Sequence, residues 1–482
     1  MNKLLVLSLA AASLALAQTP QTPQASSQQS LAAVVRLNRA PVSKEVLKVK
    51  LPRPVERTLS NGAKLLILES HRVPSITFRM SLPSGTLRDP AGMPGVADAT
   101  ASLIRLGTKT HSAKEIADTL ADLGAQGAQV TFGLSQGEAG ISVSALTENF
   151  DAALAVLADI LINPTFSQDE LDKWKSRRIA TLEQAQTLPN ILANDAVSQV
   201  LYGADARRFT HATRDSLNQM TRDMIVEHYK KYYVPSGELA GISGDITPEE
   251  ALAKLNKALG AWKGGPVAHV SLPNLEPLSA KKLYLIPRPD SVQTFLVLAN
   301  HAIDRKSPDY VECQVMNRIL GGGPSSRLFR SLHDEKGYTN GITSNFSASR
   351  YQNHFSAGTA VRTDVTEPAL AEILKQFADI RDRPVPADEL ADAKSAMVAS
   401  FVLGLESSSA VLARWLEQRE YGLPEDYWDT YSQKVMAVTA EDVQRVAKKY
   451  VPLDNAQIIA VGDIKIADVL KKFGPLQLVK LD

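Results

Sequence analysis

The sequence holds a single cysteine, Cys313, in 482 residues. No internal disulfide is possible, and a chain of this size buries enough apolar area to fold without one. Neither charge is in excess, with 53 Lys plus Arg against 52 Asp plus Glu. Composition therefore makes no electrostatic case for nucleic acid or an anionic membrane surface. No apolar run reaches the roughly 20 residues that a spanning helix requires. The eight histidines are His71, His111, His211, His228, His269, His301, His333 and His354, and none lies three to five residues from another. Two imidazoles on one helix face, the usual start of a helical zinc site, are thus absent. No Gly-x-Ser-x-Gly elbow occurs, which argues against an α/β-hydrolase. Gly321-Gly322-Gly323 is not followed by Gly-Lys-Ser/Thr, so it is no phosphate cradle.

What is present is a long internal repeat. Ala158-Asp159-Ile160, Pro164 and Asp169-Glu170-Leu171 recur as Ala378-Asp379-Ile380, Pro384 and Asp388-Glu389-Leu390. Thr221, Lys230-Lys231-Tyr232 and Val234-Pro235 recur as Thr439, Lys448-Lys449-Tyr450 and Val451-Pro452, and Gly244-Asp245-Ile246 recurs as Gly462-Asp463-Ile464. The offsets stay near 218 (439 − 221 = 218; 462 − 244 = 218). A period this long signifies duplicated domains rather than a solenoid of short units.

The chain opens with Met1-Asn2-Lys3, an apolar run from Leu4 to Leu16, and Ala15-Leu16-Ala17. That order of charge, short apolar core and small-residue site predicts a secretory signal peptide over 1–17, cut after Ala17. With no cysteine at the cut, a lipoprotein anchor is not expected, and the destination read from it is periplasmic or secreted. Residues 18–54 read as a disordered or extended lead-in, rich in Gln, Thr, Ser and Pro at its start. Asn61-Gly62 predicts a hairpin turn. Alternating Ile76, Phe78, Met80 and Leu82 predict a half-buried strand, and Phe150, Leu154, Leu157 and Leu161 mark one face of a helix. Residues 263–280 carry Gly264-Gly265-Pro266, Pro273 and Pro277 and read as a joint. Beyond it the order of elements restarts. The expectation is an α+β fold of two homologous halves, 55–262 and 281–482, each an antiparallel sheet covered by helices, arranged around a central cleft.

The stretch Leu320 to Phe346, LGGGPSSRLFRSLHDEKGYTNGITSNF, resembles the second-half signature of the pitrilysin-like or insulinase-like peptidases (family M16). Leu201-Tyr202-Gly203, and Tyr233-Val234-Pro235 followed by Gly244-Asp245, support the resemblance, which covers nearly all of the chain past the signal peptide. The resemblance implies a zinc motif, His-x-x-Glu-His, on the first long helix, with a further glutamate ligand from a later helix. The matching positions read Asp98, Ala101 and Ser102, with only Glu183 in place of the late ligand. A carboxylate, a hydroxyl and a distant glutamate make a poor zinc set. Binding of a hard cation by Asp98 and Glu183 is the alternative to a vestigial cleft. The family's substrate-holding arginine and tyrosine align with His333 and Asn340, with Tyr338 and Arg330 close in sequence as substitutes; a packing role for Tyr338 carries more weight.

This pattern leads to a non-catalytic reading: no catalytic residues, no metal and no cofactor on this chain, zinc being expected only on a partner. The chain would complete the peptide-binding chamber of a zinc-bearing M16 subunit, holding extended peptides with His333, Tyr338 and Asn340 opposite Asp98, Ser102 and Glu183. The alternative is a stand-alone peptide-binding or scaffold protein. Residual catalysis through an unfamiliar metal site is a third reading, with the least support.

Overall fold

The recurring motifs turn out to be the punctuation of matching elements. A computed structural model describes residues 49–203, 212–235, 237–276 and 278–479. The first half runs β1 (Val55–Thr58), β2 (Lys64–Glu69), β3 (Ser75–Leu82), α1 (Val96–Leu103), α2 (Ala113–Ala125), β4 (Gln129–Leu134), β5 (Ala139–Leu146) and α3 (Phe150–Ile162). It continues through α4 (Gln168–Ala185), α5 (Pro189–Tyr202), α6 (Arg214–Gln219), α7 (Arg222–Tyr232), β6 (Leu239–Gly244) and α8 (Pro248–Leu259). The second half follows the same order from β2 on: β7 (Lys282–Pro287), β8 (Gln293–His301), α9 (Tyr310–Leu320), a short α10 (Arg327–Phe329), β9 (Thr339–Phe346), β10 (His354–Arg362) and α11 (Thr366–Asp382). Then come α12 (Ala387–Leu403), α13 (Ser408–Tyr421), α14 (Tyr427–Ala437), α15 (Ala440–Tyr450), β11 (Gln457–Gly462), α16 (Ala467–Lys471) and β12 (Leu476–Leu478).

Thr221 and Thr439 are the N-caps of α7 and α15, each accepting a backbone N–H three residues on. Asp169-Glu170 and Asp388-Glu389 lie in the first turns of α4 and α12, where the helix dipole favours negative charge. The repeated lysine pairs lie in the last turns of α7 and α15, where it favours positive charge. Gly244 ends β6 at φ 125°, and a Cβ there would sit 2.0 Å from the Ser75 carbonyl oxygen, so only glycine fits.

Each sheet has six strands, ordered β1-β2-β6-β3-β5-β4 and β12-β7-β11-β8-β10-β9. The sheets are mixed rather than wholly antiparallel. β6 enters parallel to β2, and β11 parallel to β7, because each returns only after a run of helices. The hairpin at Asn61-Gly62 joins antiparallel β1 and β2, and the alternation along β3 places Ile76, Phe78, Met80 and Leu82 in the core.

The central strands are buried on both faces. In β2, Leu65 and Ile67 face the first-half helices while Leu66 and Leu68 face the other way. In β11, Ile458 and Ala460 face one core and Ile459 and Val461 the other. The outer faces are covered by exchanged helices. Helix α5 of the first half lays Leu192, Ala193, Ala196, Val197, Leu201 and Tyr202 on the second sheet. Helix α13 of the second half lays Val411, Leu412 and Trp415 on β2 and β6 of the first. The two helices start 219 residues apart (408 − 189 = 219), so the exchange is reciprocal.

The lead-in and the joint are both fastened. Leu51 is buried beside Trp415, and Arg53 pairs with Asp429, so residues 49–54 are anchored on the second half rather than lying free in solvent. In the joint, Gln352 accepts from the Leu275 N–H and donates to its carbonyl, and Leu275 and Leu278 pack against the α5 cluster. The expected signal peptide, residues 18–48 of the lead-in, His211, Pro277 and residues 480–482 lie outside the described residues.

Candidate functional site

Helix α1 is positioned by its start. Asp89 accepts from the Gly95 N–H at 2.8 Å and the Ala97 N–H at 2.7 Å, occupying orphan donors of the first turn. Burial raises its pKa to about 6, against the lowering effect of those two bonds. Gly95 has φ 100°, and a Cβ would press into Ala212. The Ser216 hydroxyl, in α6, donates to the Pro94 carbonyl. The helix that carries Asp98, Ala101 and Ser102 is therefore fixed at its start by Asp89, Gly95 and Ser216.

The donors do not make a metal centre. Asp98 faces α4 and pairs with Arg178 at 3.0 Å. Glu183, on the same helix as Arg178, pairs with Arg214 of α6. Ala101 and Ser102 are half-buried, one with no donor atom and the other with a neutral hydroxyl. Zinc at this place would meet two carboxylates that are already countered and two guanidinium groups that repel a dication. The residues do not fit the ion that the resemblance implies. Among the described residues, no three His, Cys, Asp or Glu side chains gather at ligand distance anywhere. Sequence reading missed Arg178 and Arg214. The signal available was Arg177-Arg178 on the helix that ends near Glu183, since carboxylates without a metal need another counter-charge.

The second-half positions are dispersed. His333 lies in a π-helical turn (Arg330–Glu335), stacks on Phe329 with centroids 4.5 Å apart and contacts Asp334 at 2.8 Å. Tyr338 packs against the second core, as its packing role requires. Arg330 is engaged with Glu389 at 3.3 Å. Asn340 is exposed, on β9, the edge strand of its sheet.

A cavity of about 820 Å³ does lie between the halves, but none of these eight positions lines it. Its walls are the outer face of β3, β5 and β4, with Arg79, Ser81, Ser142 and Thr131, and the Glu420 end of α13. The expected walls, Asp98, Ser102 and Glu183 against His333, Tyr338 and Asn340, are replaced because α1 and α4 cover the opposite face of the first sheet. Three carboxylates, Glu138, Glu238 and Glu420, gather around Arg350, which stands 3.9 Å from Glu138 and from Glu420. Burial pushes Glu238 and Glu420 up to about 7, and the neighbouring Glu138 adds to both shifts.

Residues 64–212 match the model of the insulinase family (peptidase family M16), and residues 219–397 match the peptidase M16 inactive domain. The second match begins inside the first structural half and takes in α7, β6 and α8. The chain is 25% identical over 415 residues to the non-peptidase homolog YmxG of Helicobacter pylori, covering 84% of this chain and 93% of that protein. It is 23% identical over 361 residues to the uncharacterized zinc protease YmxG of Bacillus subtilis, 74% of this chain and 86% of that one. Among solved structures, a peptidase M16 inactive domain from Pseudomonas fluorescens superposes with a TM-score of 0.77 at 25% identity, over 85% of this chain and 98% of that one. A protease from Helicobacter pylori gives the same TM-score at 17% identity, over 86% and 100%. The chain belongs to peptidase family M16, as a member without the zinc motif.

Proposed function

We propose that this chain is a non-catalytic M16 subunit, exported from the cytoplasm, that completes the peptide chamber of a zinc-bearing partner. The observation that carries the reading is the pair of ion pairs Asp98–Arg178 and Glu183–Arg214, with Ala101 where a general base would stand. The names of the relatives divide between zinc protease and non-peptidase homolog, so the donor set at α1 weighs more than similarity does. Extended peptide is the expected cargo. β4 and β9 are the terminal strands of their sheets, and an edge strand takes up peptide through backbone bonds with little demand on side chains. Asn340 on β9 is the one predicted contact residue left free to take part.

The test is affinity capture of the tagged chain from periplasmic extract, with zinc analysis and peptidase assay of what co-elutes. A co-eluting M16 chain with His-x-x-Glu-His, active with this chain and much less so without it, supports the reading. A chain that captures peptides alone, with no such partner, makes it a stand-alone binder. Peptide cleavage by this chain alone, abolished by chelator, refutes both.

A further inference from the structure

The duplication gives the metal-site region of the first half a counterpart in the second, and the counterpart is open. In the first half the space between α1 and α4 is bridged by Asp98 and Arg178. In the second half the same places are taken by α9 and α12, and α12 starts 219 residues after α4 (387 − 168 = 219). That offset puts Met397 where Arg178 stands in the first half. Met397 makes no ion pair, and a cavity of about 330 Å³ lies beside it, bounded by α9, α12, α13 and α14. The volume is at the lower end of small-molecule sites, about 300–1,000 Å³.

Its charge is one-sided. Arg305, Arg318 and Arg414 line it against a single carboxylate, Glu417. Glu417 spends one oxygen on Arg305 at 2.9 Å and the other on Arg414 at 3.2 Å. Arg305 is only 3% exposed, and its guanidinium sits 3.9 Å from the centre of the Tyr310 ring. Arg414 lies 4.8 Å from the Trp428 ring. Arg318 has no carboxylate partner among the described residues, and donates to the Gly322 carbonyl at 2.8 Å. The remaining wall is apolar and aromatic, with Phe401 and Tyr431 at 4.7 Å between centroids.

We infer that this cavity is a binding site for a small carboxylate on an aromatic or branched apolar body, either a free acid or the C-terminal residue of a peptide. The planar fork of Arg318 would hold the carboxylate in a bidentate pair. Phe401, Trp428 and Tyr431 would take the apolar body, with edge and face contacts to its ring. Two guanidinium charges in excess of carboxylate, in a partly closed space, draw an anion in. In the first half the arginine of this gap, Arg178, is already paired with Asp98.

Calorimetry on the full chain tests the inference with two probes, 3-phenylpropionate and an acetylated tetrapeptide ending in phenylalanine, each against its carboxamide. Saturable binding of either acid, with the carboxamide weaker by at least about tenfold, is expected, the scale of a lost charge-assisted hydrogen bond. Binding of the small acid identifies a free-acid site, and binding of the peptide acid alone identifies a C-terminus site. Arg318→Ala should cost a similar factor, and Arg318→Lys should restore part of it. Ser400→Trp, at an exposed position on the rim, should block entry without touching the core. The inference is overturned if neither acid binds, if acid and carboxamide bind alike, or if Arg318→Ala and Ser400→Trp both leave binding unchanged.

Discussion

The two halves share the topology of five strands in each sheet, differing only at the edge where antiparallel β1 is matched by parallel β12, and use their two faces differently. On the helix-covered side, the first half closes the gap between α1 and α4 with an ion pair, while the second half leaves a cavity with unspent arginine charge. On the other side the contrast reverses. The second sheet presents Tyr284, Ile286, Val297, Ile459 and Val461, all buried in one apolar cluster with α5, Leu275 and Leu278. The first sheet is covered by α13 only over β2 and β6, and β3, β5 and β4 turn a polar face of Arg79, Ser81, Ser142 and Thr131 toward the 820 Å³ cavity. Duplication fixed the backbone, and side chains then decided which gap is filled and which is left open.

The largest expected effect comes from breaking the helix exchange. Trp415 is buried, and its indole N–H donates to the Pro52 carbonyl. Trp415→Ala should cost about 3–5 kcal/mol, and Leu201→Ala on the reciprocal helix about 2–5 kcal/mol. Urea unfolding should show both changes in a single transition. Separate unfolding of the halves would mean that the exchange does not couple them. A milder break is proteolysis. A nick within 264–276 should leave the halves co-eluting on size exclusion, because α5 and α13 hold them and the joint does not.

The carboxylate cluster predicts a pH effect. Glu238 and Glu420, raised to about 7 by burial and by Glu138, bind protons more tightly when folded than when unfolded. Their ionisation therefore costs stability above about pH 7, and stability recovers as pH falls from about 7 toward the ordinary glutamate range. Glu238→Gln should stabilise by on the order of 1 kcal/mol at pH 8 and by nothing measurable near pH 5. Equal effects at both pH values would show that the shift is absent. The smallest effect belongs to the first-half ion pair. Asp98 and Arg178 are both about a third exposed, so Asp98→Asn should change stability by about 0–1 kcal/mol. A larger loss would give the pair a structural role beyond filling the site.

The repeat was legible in the sequence because its motifs are caps, charged first and last turns and strand ends, which local chemistry dictates. Thr221 and Thr439, or Gly244 and Gly462, could hardly be placed otherwise. The exchange of α5 and α13 was not legible. An apolar helix face shows that something covers it, and does not show which sheet. The mixed sheets escaped for a related reason, since the strand pattern of β6 and β11 is the same for either direction. At the site, the loss at Asp98, Ala101 and Ser102 could be read residue by residue. Of the arginines that answer it, Arg178 left a signal in Arg177-Arg178, and Arg214 left none because it reaches Glu183 from another helix. His333 was placed by alignment alone, and stacking on Phe329 now accounts for it; Tyr338, a neighbour in sequence rather than an aligned position, packs against the second core as its packing reading had it.

The central claim is that arginine charge stands where an M16 peptidase would hold zinc. Elemental analysis of the purified chain after dialysis against micromolar zinc tests it most directly, on wild type and on the variant Asp98→His, Ala101→Glu, Ser102→His, with and without Arg178→Ala and Arg214→Ala. The account predicts no stoichiometric zinc in the wild type, and better retention in the restored site once both arginines are removed. About one zinc per wild-type chain, the content of a three-ligand M16 site, would contradict it.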